Sequence, residues 1–187
     1  MSRCGRKSRG RHAARGVTLV ELVVTLAVAA MLAAIAMPSF SNLVRGNRLK
    51  SSANEMVAML QTAKVAAVSR RARVSVCPSA DGASCAATVG NRWIALMVKD
   101  GVSTVLRDST LHESVVVKSS ANLSAGNHRL VFVPSGFSSV GANASGTIGL
   151  CVANLSGNNG IDVTTNVSRV STRRRAATAA CTVPADN

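Results

Sequence analysis

RGVTLVELVVTLAVAAMLAAIAMP, residues 15–38, decides the reading of this chain. From Val17 to Met37 run 21 residues, of which only Glu21 is charged. An apolar helix of roughly 20 residues crosses a bilayer, so 17–37 is expected to be a transmembrane helix. Six cations precede it: Arg3, Arg6, Lys7, Arg9, Arg11 and Arg15. Cationic flanks stay cytoplasmic, which directs the C-terminal remainder outward. Arg45, Arg48 and Lys50 oppose this orientation, but the leader carries more charge and comes first.

An ordinary secretory signal peptide is the competing reading. Ala34-Ile35-Ala36 offers an A-x-A cleavage site, which would release a soluble periplasmic protein starting near Met37. Two features argue against it. The apolar run is longer than the usual signal core, and it contains an acid. A carboxylate inside hydrocarbon costs at least about 2.5–3.5 kcal/mol, so Glu21 needs a function and a partner.

RGVTLVEL, residues 15–22, resembles the class III signal of type IV pilins and pseudopilins. The resemblance implies that a prepilin peptidase cuts between Gly16 and Val17, removing the basic leader 1–16. It further implies that the new amine of Val17 is N-methylated, and that Glu21 meets this amine on a neighbouring subunit during filament assembly. Each buried charge is tolerable only when paired. Pro38 matches a proline that the family places at this point in the helix and is assigned to assembly with Glu21. Val17 departs from the family, where Phe is usual.

Beyond Pro38 the pattern stays helical over 38–72. Ala53, Met56, Leu60, Ala63 and Ala67 recur at spacings of three and four, forming one apolar stripe. Ser52, Asn54, Gln61 and Lys64 lie off that stripe. Gly46 loosens the junction between the two halves, and Arg70, Arg71 and Arg73 close the helix with cations. From 73 to 187 the pattern is of short strands between turns. RVSVC at 73–77, WIALMV at 93–98, VVVK at 115–118 and RLVFV at 129–133 come first, then TIGLCV at 147–152 and IDVTTNVSRVSTR at 161–173. NLSGNNG at 154–160 reads as a hairpin connection. The expected fold is α+β: a long N-terminal helix packed on antiparallel sheet.

Phe132-Val133-Pro134-Ser135-Gly136 looks like the FxPxG turn of GspH/FimT-type (FimU-like) minor pilins and pseudopilins. CPSADGASC at 77–85 and the late strand ending near Cys181 also fit. The resemblance implies a pilin fold and a non-enzymatic subunit that assembles into, or primes, a type IV pilus or a type II secretion pseudopilus. Its partners are then other pilin subunits through the N-terminal helix, the prepilin peptidase and the inner membrane. Its location is single-pass in that membrane, with the C-terminal domain periplasmic, and later in the filament.

Cys4 lies in the leader; Cys77, Cys85, Cys151 and Cys181 remain, an even number. In an exported chain, disulfides are the default. Three pairings are possible; proximity favours Cys77 with Cys85, leaving Cys151 with Cys181. A zinc site competes, yet there is no CxxC pair, and His112 and His128 lack ligand spacing. No metal or cofactor is expected. One Trp, three Phe and no Tyr leave the core to Val, Leu, Ile, Met and Ala.

Catalytic constellations are missing: there is no GxSxG elbow and no GxxxxGK[ST] loop. The formal charge is +14, and 16 basic against 8 acidic side chains remain once the leader is removed. Such basicity favours acidic partners. Ser168-Arg169-Val170-Ser171-Thr172-Arg173-Arg174-Arg175 sits where FimT-like proteins carry GRxR, with Thr172 replacing the Gly and Arg173 and Arg175 matching the arginines. In an extended strand Arg169, Arg173 and Arg175 share a face and could follow the phosphates of double-stranded DNA. The resemblance to FimT-like proteins implies the alternative function: DNA capture for natural transformation through Arg169, Arg173, Arg174 and Arg175. A solvated edge strand explains the same charges.

Overall fold

A computed structural model describes residues 16–176 and 178–186, with the side chains of 35–39 excepted. The rest of the expected leader, Cys4 included, lies outside the described residues. The chain divides into two compact units with the boundary between Phe40 and Ser41.

The first helix, α1, runs Leu19–Arg70 and belongs to both units. Thr18 caps it: the Glu21 N–H donates to Thr18 Oγ1 at 3.2 Å, and the Leu22 N–H donates to the Thr18 carbonyl at 3.1 Å. Its end is a Schellman turn. Ala72 N–H bonds the Ala67 carbonyl at 3.2 Å, Arg71 N–H bonds the Val68 carbonyl at 3.4 Å, and Arg71 takes φ +48°.

In the second unit the apolar stripe of α1 is buried: Ala53, Met56, Leu60, Ala63 and Ala67, joined by Leu49 and Met59. Three alanines in that stripe let the helix approach the sheets closely. Ser52, expected off the stripe, is also buried. Its hydroxyl is small enough for a helix flank that a longer polar side chain would have to leave.

Among the described residues nine strands follow, in two antiparallel sheets. The first sheet comprises β1 (Arg73–Pro78), β2 (Arg92–Lys99), β3 (Val102–Thr110), β5 (Leu130–Phe132) and β6 (Ser138–Ser139), in the order β3-β2-β1-β5-β6. The second comprises β4 (Val116–Ser119), β7 (Ser145–Cys151), β8 (Gly160–Asn166) and β9 (Arg169–Arg175), in that order. A short helix, α2 (Ala121–Ala125), lies between β4 and β5. Val74, Val76, Trp93, Ala95, Leu130 and Phe132 of the first sheet share one core with Ile148, Leu150, Ile161 and Val163 of the second and with the stripe of α1. The expected α+β architecture, a helix on antiparallel sheet, is the one observed.

Several elements differ from the sequence reading. β3 was not expected; it is an edge strand exposed over most of its length, so it lacks the alternation that marks a half-buried strand. Asp100-Gly101, a favoured hairpin dipeptide, joins it to β2. The run 161–173 is not one strand but a hairpin, β8 pairing with β9 around Val167 and Ser168. Val167 takes φ +55° there, rare for a β-branched residue, and nothing in its identity signals a turn. Two anchors hold it: Lys64 Nζ donates to the Ser168 carbonyl at 2.6 Å, and Val167 N–H donates to the Ala144 carbonyl at 3.0 Å.

Phe132–Gly136 forms a turn after β5, with Gly136 N–H on the Val133 carbonyl at 2.8 Å and Val133 N–H on the Phe137 carbonyl at 3.0 Å. Pro134 suits the second turn position, and Gly136 supplies φ +82°. Cys77 is bonded to Cys85, and Cys151 to Cys181. Within the first loop the Asp81 carboxylate accepts from the Ser84 and Ala83 N–H groups, each at 2.8 Å, and from the Ser84 and Ser79 hydroxyls. These donors, Ser84 N–H foremost, hold it well below the usual carboxylate range.

Candidate functional site

Two regions hold the residues singled out from the sequence. At the first, Gly16 and Val17 precede α1 and are exposed, and Glu21 is the third helical residue. Thr18-Leu19-Val20-Glu21 is thus a T-x-x-E capping sequence, legible in the residues themselves. Its carboxylate also sits at the positive end of the helix dipole. Around Glu21 every large apolar side chain is uncovered, from Val17 at 67 % exposure to Leu32 at 64 %. Among the described residues no helix is long and apolar enough to cross a membrane. The expected span 17–37 includes 35–37, whose side chains lie outside that description, as does the side chain of Pro38.

The second region is β9. Its register places Arg169 opposite Asn166, Arg173 opposite Asp162 and Arg175 opposite Gly160. Of the three arginines expected to share a face of an extended strand, Arg175 is engaged within the domain. Arg175 Nε bonds Asp162 Oδ1 at 2.7 Å, with the two side chains 19 % and 5 % exposed. Its other nitrogens donate to Thr182 Oγ1 at 2.9 Å and to the Thr182 carbonyl at 2.7 Å. Arg175 therefore binds the C-terminal segment to the sheet, beside the Cys151–Cys181 bridge. The segment lies so close that a Cβ on Gly149 would sit 2.9 Å from Pro184 Cγ. Asp162 was missed because its partner is set by strand pairing.

Arg169, Arg173 and Arg174 stay exposed. Arg173 and Arg174 join Thr172, Ile161 and, from α1, Lys50, Ala53 and Asn54 around a cavity of about 320 Å³. Among the described residues no group of His, Cys, Asp and Glu side chains could hold a metal ion.

A prepilin-type N-terminus joined to a helix packed on antiparallel sheet is the build of a pilin or pseudopilin. Residues 11–37 match the prokaryotic N-terminal methylation motif, and residues 52–170 match the type II transport protein GspH family. The chain belongs to that GspH family. The fold is similar to the type IV minor pilin FimU of Pseudomonas aeruginosa in two crystal forms. One has TM-score 0.52 at 20 % identity, over 70 % of this chain and 92 % of that one. The other has TM-score 0.50 at 22 % identity, over 67 % and 92 %. The minor pseudopilin EpsH of the Vibrio cholerae type 2 secretion system aligns with TM-score 0.47 at 15 % identity, over 69 % of this chain and 97 % of that one. No curated protein matches.

Proposed function

We propose that this chain is a filament subunit that acts by assembly rather than catalysis. It is cut after Gly16 by a prepilin peptidase and methylated at Val17. Residues 17–37 hold it in the inner membrane, with the β domain from 73 onward in the periplasm. It then enters or primes a type IV pilus or a type II secretion pseudopilus. The observation that carries this reading is the uncovered apolar surface of α1 around one carboxylate, Glu21. Such a surface needs lipid or neighbouring helices, and the carboxylate needs a cation such as the Val17 amine of the next subunit. The intact mass of membrane-extracted protein tests it. A chain beginning at Val17 with a methylated amine is the expected result, and one beginning at Met37 would restore the secretory reading.

DNA capture is the second reading, supported by the exposure of Arg169, Arg173 and Arg174. It predicts weak duplex binding, in the non-specific range of roughly 10⁻⁴–10⁻⁶ M, that falls steeply with salt. Retained binding in an Arg169→Gln/Arg173→Gln/Arg174→Gln triple variant would remove β9 from that role.

A further inference from the structure

We infer that Val65, Val68, Phe137 and Val167 form a docking patch for a different filament subunit, one that presents an apolar surface rimmed by carboxylates. The inference rests on the filament-subunit reading above and concerns residues of the second unit alone. The four side chains are between 44 % and 64 % exposed. Three separate segments bring them together. A Cβ on Gly136, beside Phe137, would meet Val68 Cγ2 at 3.3 Å. The Ser138 hydroxyl donates to the Val167 carbonyl at 2.8 Å, and Lys64 Nζ donates to the adjoining Ser168 carbonyl at 2.6 Å. Val65 lies one helical turn before Val68. Val167 holds φ +55°, a conformation that Asn or Gly would take at less cost. The hairpin turn thus keeps an exposed apolar side chain against backbone preference, and such strain gathers where a residue is used. Exposed apolar side chains grouped inside a polar rim mark protein contacts.

Charge selects the partner. Arg70 lines a groove with Val65, and Arg169 lines another with Val167. Both arginines are exposed, and neither is ion-paired among the described residues. Residues 61–71, 134–139 and 164–171, which carry the patch and its rim, contain no Asp or Glu. Two copies meeting patch to patch would set these cations against their own counterparts. A second copy offers little elsewhere. Of the seven acids beyond residue 40, only Asp100 and Glu113 accept no hydrogen bond among the described residues. The complementary surface is therefore apolar at its centre and acidic at its edge, and it belongs to another protein. A nucleic acid would pair the arginines but leave the three valines uncovered.

The test places p-benzoylphenylalanine at position 137 of the full chain in its host cell, irradiates assembled filaments and identifies the adducts by peptide mass. The expected adduct joins position 137 to a net-acidic peptide of a different protein that carries its own N-terminal methylation motif. Arg70→Glu with Arg169→Glu should lower its yield about tenfold or more, because like charges across an interface repel. Lys50→Glu with Arg174→Glu makes the same change of charge at the α1–β9 cleft, about 22 Å along α1 from Val65, and should leave the yield unchanged. Intact Cys77–Cys85 and Cys151–Cys181 bridges in each variant exclude misfolding as the cause. An adduct formed only with a second copy, with nucleic acid or with a protein lacking the motif overturns the assignment. A yield indifferent to the Arg70 and Arg169 reversal does so too. No adduct, with the processed chain present in purified filaments, overturns the patch and leaves the filament reading intact. Absence of the chain from filaments overturns that reading, and this inference with it.

Discussion

Asp162 and Arg175, on neighbouring strands, form an ion pair of 2.7 Å in which the carboxylate is 5 % exposed. The same guanidinium holds Thr182, so one arginine links β8, β9 and the C-terminal segment.

Removing either partner should destabilise the domain. Breaking a buried pair costs about 3–5 kcal/mol, and the partial exposure of Arg175 places this one at the lower end. Arg175→Gln and Asp162→Asn should each lower the urea midpoint clearly, whereas Arg173→Gln should change stability by no more than about 0.5 kcal/mol. An unchanged midpoint in Arg175→Gln would show that the pair carries no structural load. Loss of ligand binding in an Arg175 variant must therefore be separated from loss of fold.

The two disulfides should differ in their contribution. They close separations of 8 and 30 residues. Chain-entropy loss in the unfolded state then predicts roughly 2.5 kcal/mol for Cys77–Cys85 and roughly 3.6 kcal/mol for Cys151–Cys181. Urea unfolding of the paired Ser variants measures both, and a larger loss at Cys77–Cys85 would contradict this order.

At the N-terminus the cap and the charge can be separated. Thr18→Ala removes the acceptor for the Glu21 N–H and should weaken the first turn by about 1 kcal/mol. Glu21→Gln keeps a residue suited to a capping box but loses the charge. It should reach the membrane normally and yet enter filaments poorly. Wild-type incorporation of Glu21→Gln would dismiss the ionic role of the carboxylate.

The Asp81 loop should make stability pH-dependent in acid. The folded-state pKa of Asp81 is depressed, chiefly by the Ser84 N–H. Its contribution is complete above the unfolded value of about 3.9 and is lost as pH falls from there towards the folded value. Asp81→Asn should flatten the fall in thermal midpoint below about pH 4. The same slope in the variant would assign the effect to other carboxylates.

Much of this molecule is legible without coordinates, because local interactions dictate it. The run from Val17 to Met37 is helical and apolar by composition, and the stripe from Ala53 to Ala67 declares its buried face by spacing alone. Strands such as β1, β2 and β7 are dense in apolar and β-branched residues because they are buried. What the sequence left undecided depends on which strands become neighbours. β3 is an edge strand with little to bury, so its composition carries no pattern. The β8–β9 turn places Val167 where propensity disfavours it, and contacts from Lys64 and Ala144 hold it there. Only strand register sets Asp162 beside Arg175 and withdraws that arginine from the surface. Only the packing of β9 near α1 brings Lys50 to Arg173 and Arg174, residues more than 120 positions apart in the chain. A side chain's neighbours along the chain are fixed by covalent geometry, whereas its partners across strands follow from burial of the whole core.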